Sequence, residues 1–352
     1  MRYVLFRTKG ASPAAPLHVG AQTPDGGAAD ISAYAQDQGT ALNGSMRTFL
    51  ELGPAAGAAL AAGALANPAY HRKAEHIELR APIYDWSVAQ QGREAPAGAP
   101  ARARAARCAA APRRAAPLDA PSPPLPPSSP LPSPPPGSEK VLCVGMNYAD
   151  HCYEQGLPLP VEPTIFNKFP TALAASGDPL VCPREVQELD YEVELAVVIG
   201  TAGRRIPVAT ALSHVAGYTV AHDVSARDWQ LKKNGGQWLL GKACDGFAPI
   251  GPAIVTPDEV GDVGALRLRC LVNGEALQDG NTKDLVHSVA ACVSWVSQLI
   301  TLKPGDIILT GTPPGVGCFR KPTPRWLKVG DVVTVEIEKL GSITNTVVAD
   351  ST

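Results

Sequence analysis

Three carboxylates in the middle of the chain have the residue types and spacing of a metal site. Glu192 and Glu194 lie in residues 190–200, DYEVELAVVIG, and Asp223 ends residues 217–223, GYTVAHD. β-Branched and apolar residues dominate both segments and glycines punctuate them, which predicts two strands. Because successive side chains point to opposite faces of a strand, Glu192 and Glu194 share one face.

Paired carboxylates in a mostly apolar strand need a cation beside them. Like charges repel each other, and removing them from water adds a desolvation cost. A hard divalent ion such as Mg²⁺ or Mn²⁺ prefers oxygen ligands and offsets both effects. The alternative is an exposed strand face with two solvated glutamates, but the apolar run that continues to Ile199 favours a buried strand. The pattern therefore indicates a metal site, to which Asp223 could supply a third oxygen.

A histidine and a glutamate three residues apart form a second cluster. Residues 145–154, GMNYADHCYE, indicate the end of a strand, a polar turn and a short helix. His151 and Glu154 would lie on one face of a helical turn, where the carboxylate can orient the imidazole for work as a general base. On this motif alone, a surface histidine beside a surface glutamate is the simpler interpretation.

Two further segments carry groups that suit an anionic substrate. Residues 225–230, SARDWQ, include Arg227 and Gln230, and Lys242 follows a glycine a few residues later. These side chains could contact an anion, although exposed basic residues more often serve solubility. Residues 309–315, LTGTPPG, follow a predicted strand, and their backbone N–H groups and hydroxyls could bind a carboxylate. An ordinary strand-ending turn explains them equally well.

The elements that position these groups are mostly strands. From residue 139 onward the pattern predicts strands at 141–144, 191–199, 266–272, 306–309 and 331–338. A helix is predicted over 284–300 with Asp284 as its N-cap. Its apolar stripe consists of Leu285, Val289, Cys292, Val293, Val296 and Leu299. Many strands and few helices indicate a mixed β-roll or sandwich with helices at its margins.

The part before residue 139 divides in two. Residues 1–86 predict a small α/β segment, with a strand at 1–7, an Ala-rich helix at 54–66 and a strand at 77–80. Residues 87–137 are an Ala/Arg/Pro tract that ends in polyproline, which predicts a disordered or extended segment. Such a tract could dock an adaptor domain. We favour a non-native insert, because a loop this long is unusual inside a compact domain. The main domain would then be 138–352.

Composition narrows the class of protein. The 352 residues are 45% hydrophobic and carry a net charge of −2, which is typical of a globular protein and argues against nucleic acid or an anionic membrane as a partner. No apolar run has the length of a membrane span. Eight cysteines without a Cys-x-x-Cys pair are typical of reduced, buried thiols in an intracellular protein. Because no transit-peptide pattern is visible, we expect a cytosolic protein or a chain that begins after its targeting segment.

Taken together, four motifs resemble those of the fumarylacetoacetate hydrolase superfamily. They are VGMNY at 144–148 with His151 and Glu154, DYEVELAVVIG at 190–200, AHDVSARDWQ at 221–230, and LTGTP at 309–313. The resemblance covers residues 139–348 almost continuously and the first 86 more weakly, whereas the tract 87–137 is foreign to the family pattern. It implies an α+β, β-rich fold, namely a mixed β-sandwich roll of the family's C-terminal type with a small N-terminal α/β segment. Members of the family are usually homodimers.

The resemblance also implies roles for individual residues. The metal ligands would be Glu192, Glu194 and Asp223, binding Mg²⁺, with Mn²⁺ or Ca²⁺ as alternatives. The catalytic residues would be His151, Glu154 and Lys242. The substrate contacts would be Arg227, Gln230, Thr310, Gly311 and Thr312. Relatives of this type are typically mitochondrial.

The implied substrate is an enolisable 2-oxo acid that chelates the metal through a carboxylate oxygen and its keto oxygen. The ion then stabilises the enolate as a Lewis acid, Lys242 adds positive charge, and His151 moves a proton. Proton transfer alone makes a keto–enol tautomerase, for which we expect oxaloacetate as the substrate. The alternatives are a C–C hydrolase of acylpyruvate or fumarylacetoacetate-like substrates and an oxaloacetate decarboxylase. A non-catalytic scaffold that uses the Pro-rich tract is the alternative from another class.

Overall fold

The computed structural model describes residues 1–11, 15–42, 44–80 and 140–351. The tract at 87–137 lies outside the described residues, so its interpretation as an insert stays a prediction. The boundaries at 86 and 138 stay predictions as well.

Strands make up most of the regular structure in the described ranges. The first five are β1 (Arg2–Thr8), β2 (His18–Gln22), β3 (Ala28–Asp30), β4 (His71–Arg72) and β5 (Ile77–Arg80). The next nine are β6 (Val141–Gly145), β7 (Thr164–Lys168), β8 (Leu173–Ala174), β9 (Leu180–Cys182), β10 (Leu189–Asp190), β11 (Val193–Ile199), β12 (Val215–His222), β13 (Ser225–Ala226) and β14 (Ala248–Val255). The last five are β15 (Arg267–Val272), β16 (Glu275–Asn281), β17 (Ile307–Leu309), β18 (Val332–Ile337) and β19 (Gly341–Ala349).

The α-helices in these ranges are short and lie between the strands. They are α1 (Ile31–Asp37), α2 (Met46–Glu51), α3 (Pro54–Ala66), α4 (Ala149–Glu154), α5 (Leu239–Lys242), α6 (Pro257–Val260) and α7 (Val289–Ser297). A π-helical turn covers Asp228–Lys232.

Two sheets carry the fold. Within the described residues, the larger sheet has twelve strands in the order β4-β3-β2-β1-β14-β12-β11-β17-β6-β7, with β5 paired to β1 and β8 to β14. The smaller sheet has the order β16-β15-β18-β19-β9. Because β1 pairs antiparallel with β14, with Tyr3 opposite Ile254, the N-terminal strands extend the sheet that carries the candidate metal ligands.

Strand β11 is buried on both faces, which explains its long apolar run. One face, with Val193 and Val197, packs in the core between the two sheets, together with residues such as Val335. The other face, with Val198, packs in a second core with side chains of the N-terminal segment such as Phe49. Helices thus cover one side of the large sheet and a second sheet covers the other. The predicted α+β, sheet-rich sandwich is confirmed.

The predicted strands are present, and their ends differ from the predicted ones by one or two residues. Helix α3 has the predicted bounds. Among the described helices, none combines the length and the apolar composition of a membrane span. The cysteines in the described residues are free thiols, four of them buried and three half-buried, so the predicted reduced state is confirmed there. Cys108 lies outside the described residues.

The helix predicted over 284–300 is wrong at both ends. Helix α7 begins after Ser288, whose hydroxyl caps it by accepting from the backbone N–H of Ala291, so Asp284 is not the N-cap. The residues before Ser288 are held by another part of the chain instead, because the backbone N–H of His287 donates to Oδ1 of Asn147 at 2.8 Å. The helix ends at Ser297, which leaves Leu299 85% exposed rather than on an apolar stripe.

Candidate functional site

The three predicted metal ligands meet where two neighbouring strands end. Glu192 immediately precedes β11, Glu194 is the second residue of that strand, and Asp223 follows the last residue of β12. The backbone N–H of Asp223 donates to the carbonyl of Glu192 at 2.9 Å, which extends the strand pairing by one step. All three side chains are buried. One carboxylate oxygen from each lies within 4.8 Å of the others.

Lys242 bridges two of the three carboxylates. Its ammonium Nζ lies 2.7 Å from Oε2 of Glu192 and 2.8 Å from Oδ2 of Asp223. The lysine is the last residue of the short helix α5 and its side chain is buried. Burial opposes the charged form of Lys242, but the negative charges of Asp223 and Glu192 outweigh it and raise the pKa. Lys242 therefore stays cationic inside the site.

Three side-chain acceptors hold the guanidinium group of Arg227, which is buried away from solvent. Its Nε donates to Oδ2 of Asp190 at 2.8 Å, its Nη2 to Oε1 of Glu192 at 2.5 Å, and its Nη1 to Oε1 of Gln230 at 2.9 Å. The same Asp190 carboxylate accepts the backbone N–H of Gly317 at 2.6 Å. Arg227 thus holds Glu192 and Gln230 in place. It also lines the cavity, and its predicted contact with the substrate stays a prediction.

Lys168, which the sequence motifs did not single out, is a third buried cation at the site. Its Nζ lies 2.7 Å from Oδ1 of Asp223. It also donates to the backbone carbonyls of Val224 at 3.0 Å, of Phe247 at 2.9 Å and of Lys242. Lys168 therefore ties Asp223 to the backbone of the helix that carries Lys242.

Glu194 differs from the other two carboxylates because, within the described residues, no cationic side chain pairs with it. Its Oε2 accepts the backbone N–H of Gly311 at 2.7 Å. Burial, together with the charges of Asp223 and Glu192, holds the pKa of Glu194 well above its usual range. The pKa of Glu192 is instead lowered, because Lys242 and Arg227 overcome the effect of its burial.

These charges fit a divalent cation. Four buried carboxylates, Asp190, Glu192, Glu194 and Asp223, face three buried cations, Lys168, Arg227 and Lys242. The uncompensated carboxylate is Glu194, which lines the same cavity as Glu192. Hard oxygen donors suit Mg²⁺ or Mn²⁺ and not a thiolate-seeking metal.

The histidine of the predicted histidine–glutamate pair lines this cavity. His151 and Glu154 lie on α4, with His151 Nδ1 3.0 Å from Glu154 Oε2. The other carboxylate oxygen of Glu154 accepts the backbone N–H of Gly315 at 3.1 Å. His151 is only 5% exposed, so the alternative of a surface pair is wrong. The arrangement turns Nε2 of the imidazole away from Glu154 and leaves it as the nitrogen that can exchange a proton.

The turn after β17 is held against β11 by its two hydroxyls. Thr310 donates to the carbonyl of Leu195 and Thr312 to the carbonyl of Val193, both at 2.9 Å. Gly311 and Thr312 line the cavity, whereas Thr310 is fully buried beneath it. Gly311 has φ 103°, and a Cβ there would lie 2.9 Å from the Cβ of Asn147, so this close turn requires glycine.

Several cavity residues carried no clear signal in the sequence. They are Met146, Gln155, Phe166, Leu231, Trp238 and Phe319. Gln278 was missed as well; its amide donates to Oγ1 of Thr312 and accepts from the backbone N–H of Val193, which clamps the turn to β11. Asp190 was visible only as the first residue of the DYEVE motif.

Comparison with known proteins agrees with the family resemblance of the sequence motifs. Residues 140–348 match the family model described as fumarylacetoacetate (FAA) hydrolase C-terminal. The protein of Xenopus laevis named oxaloacetate tautomerase fahd2, mitochondrial, is 57% identical over 210 residues, which make up 60% of this chain and 66% of that relative. The match thus spans just under two thirds of the relative's length.

Two solved structures share the architecture. Fumarylacetoacetate hydrolase from Exiguobacterium antarcticum superimposes with a TM-score of 0.68 at 29% identity, over 99% of this chain and 100% of that one. Fumarylpyruvate hydrolase from Pseudomonas aeruginosa, solved in complex with Mn²⁺ and pyruvate, gives a TM-score of 0.56 at 35% identity, over 61% of this chain and 91% of that one.

Proposed function

The chain belongs to the fumarylacetoacetate hydrolase family, and on that premise we propose that it is a metal-dependent keto–enol tautomerase of oxaloacetate. The observation that carries the proposal is the buried carboxylate trio beside His151, with Glu194 left without a cation. The name of the Xenopus laevis relative, an oxaloacetate tautomerase, supports this choice over the hydrolase and decarboxylase alternatives.

Glu192, Glu194 and Asp223 would hold the metal, and Mg²⁺ or Mn²⁺ suits their oxygen donors. When bound, such an ion supplies Lewis-acid polarisation of the substrate's keto oxygen. The relative solved with Mn²⁺ and pyruvate supports both a divalent ion and a 2-oxo acid in a site of this family.

The cationic and amide groups would bind and orient the substrate. Lys242 holds a positive charge at the edge of the trio, where negative charge develops on the oxygen at C-2. Gln230 is oriented by Arg227 through its amide oxygen. Within the described residues its amide nitrogen makes no protein hydrogen bond, so it is free to donate to a carboxylate. Thr310 would position the turn, and Gly311 and Thr312 would close the cavity wall.

His151 would carry out the proton transfer. Its Nδ1 is held by Glu154, so Nε2 takes a proton from C-3 of the keto form and delivers it to the oxygen at C-2. The C-3–H bond is broken, an O–H bond is formed, and the double bond moves from C-2 and its oxygen to C-2 and C-3, while no water or oxidant is consumed. The reaction is therefore an isomerisation.

We also propose a mitochondrial location, because the relatives are named mitochondrial, and a homodimer, because the family resemblance implies one. The division into 1–86, the insert 87–137 and a catalytic domain 138–352 remains part of the proposal. Deleting 87–137 tests it, since activity should be unchanged or improved if the tract is foreign. Absence of activity in the full chain, together with capture of an adaptor domain by the tract, would favour the scaffold alternative.

The central test follows the enol absorbance of oxaloacetate with purified protein and Mg²⁺. We expect faster loss of the enol, abolished by EDTA and by Glu192→Ala. Glu338→Ala is a matched control, because Glu338 is an exposed glutamate in the turn after β18 of the smaller sheet, where its carboxylate accepts the backbone N–H of Arg267. No acceleration of the enol decay, with clear pyruvate release from an acylpyruvate, would overturn the tautomerase in favour of the hydrolase.

A further inference from the structure

Gln155 lies at hydrogen-bond distance from Nε2 of the base, and the function proposed above does not use it. It follows α4 directly, and its amide nitrogen lies 3.0 Å from Nε2 of His151. The same nitrogen lies 3.3 Å from Sδ of Met146 and 3.3 Å from the carbonyl of His151. Both are acceptors, so the amide is oriented with its N–H groups toward the imidazole.

The rest of the wall around the imidazole is largely apolar. The ring of Phe319 lies 5.9 Å from the His151 ring, centroid to centroid, and Met146, Leu231 and Trp238 also line the cavity. The cations of the site are already engaged, because Lys242 and Arg227 are bound to carboxylates on the metal side. Among the described residues, Gln155 is therefore the hydrogen-bond donor that stands closest to the base.

The chemistry of a 2-oxo diacid requires a donor at this place. In oxaloacetate, the diacid of the proposed function, the carbon that loses its proton, C-3, also carries the distal carboxylate. When C-3 lies against Nε2 of His151, that carboxylate must lie within one or two bonds of it, and so beside the amide of Gln155. A carboxylate placed against apolar rings without a donor would lose its hydration without compensation.

Resting on the proposed function, we infer that Gln155 is a specificity-determining residue that binds the distal carboxylate of the diacid. Without substrate its N–H group donates to Nε2 of His151. A bound diacid displaces this N–H group from Nε2. The N–H group then donates to the distal carboxylate, while Nε2 contacts C-3. In the free site Nε2 of His151 and the amide of Gln155 contact each other. In the complex each of them contacts the substrate instead, so neither polar group is left unpaired.

The test compares a diacid with a monoacid. Gln155→Met keeps the length of the side chain and removes the donor, and Gln155→Glu places a negative charge beside the carboxylate. For oxaloacetate we expect kcat/KM to fall about 10- to 100-fold in Gln155→Met, mostly through KM, and further in Gln155→Glu, since a hydrogen bond to a charged group is lost. For 2-oxobutanoate, which has no distal carboxylate, the rate of C-3 hydrogen–deuterium exchange seen by NMR should stay at the wild-type value.

Gln230→Met is the matched control, because that amide faces the metal side and should lower the rates for both acids. Binding of both acids with Mg²⁺ should also be measured by calorimetry, so that the inference is tested even if wild-type protein does not accelerate tautomerisation. A selective loss of diacid binding in Gln155→Met supports the inference. Equal losses for both acids, or no loss for either, would overturn it, and unchanged melting temperatures show that the variants are folded.

Discussion

Replacing Glu192 and Glu194 one at a time by glutamine should have opposite effects on the metal-free protein. The two residues are buried, lie two positions apart and keep their shape as glutamine. Glu192 pairs with Lys242 at 2.7 Å and with Arg227 at 2.5 Å, whereas in the described part of the chain the Glu194 carboxylate accepts only the backbone N–H of Gly311. A glutamine at 194 can still accept that bond through its amide oxygen.

The magnitudes follow from the ion pairs. Removing one partner of a buried pair costs about 3–5 kcal/mol, so Glu192→Gln should lower the free energy of unfolding by about that amount. At about 2 °C per kcal/mol for a large domain, the melting temperature would fall by about 6–10 °C. Glu194→Gln replaces a buried carboxyl group whose pKa is raised by its burial and by the charges of Asp223 and Glu192, so the free energy of unfolding should be unchanged or higher.

The assay is thermal melting in EDTA and again with Mg²⁺. An ion at about 100 times its Kd stabilises the wild-type protein by about 2.7 kcal/mol, and both variants should lose most of this gain because each lacks a ligand charge. Glu194→Gln would then be stable and inactive. Equal destabilisation of the two variants in EDTA would refute the view that Glu194 is the uncompensated carboxylate.

Three other substitutions test the supporting contacts. Lys168→Met should lower the free energy of unfolding by about 3–5 kcal/mol, because it removes the cation at Oδ1 of Asp223 and a donor to three backbone carbonyls. Urea denaturation measures this, and Lys168→Arg should lose less. Asp190→Asn should raise the KM for oxaloacetate, because Arg227 loses a charged partner worth about 1.5–3 kcal/mol; an unchanged KM would argue against that positioning role. Gly311→Ala should cost about 1–3 kcal/mol through its φ of 103°, and a melting curve with a kcat measurement would show whether the turn has moved.

The strands and the carboxylate trio could be predicted because the pattern is local. Residues of β11 are buried on both faces, so an unbroken apolar run with a period-two pair of glutamates points to a buried strand with a cation beside it. The helix predicted from Asp284 failed for the opposite reason. Contacts of residues 285–287 with the Asn147 region, distant in sequence, hold that stretch extended and delay the helix to Val289.

The missed site residues are those whose role depends on where another strand approaches. Lys168 ends β7, and its ammonium meets Asp223 only because the ends of β7 and β12 and the segment around Lys242 converge. Gln278 belongs to the smaller sheet and reaches Val193 and the Thr312 turn across the core. Neither the sequence spacing nor the residue type predicts such a contact, because a single lysine or glutamine in a strand is more often exposed to solvent.

The placement of the cations explains why a metal would serve both stability and chemistry in this site. Lys168, Arg227 and Lys242 neutralise Asp223 and Glu192, whereas within the described residues Glu194 lines the same cavity without a cationic partner. A divalent ion would therefore gain most next to Glu194, which is also where it could reach a 2-oxo acid. The protein cations keep the other ligands fixed through their ion pairs, so the ion's positive charge would add to that of Lys242 in attracting the substrate. Removal of the metal from such a site should therefore weaken substrate binding as well as slow the reaction.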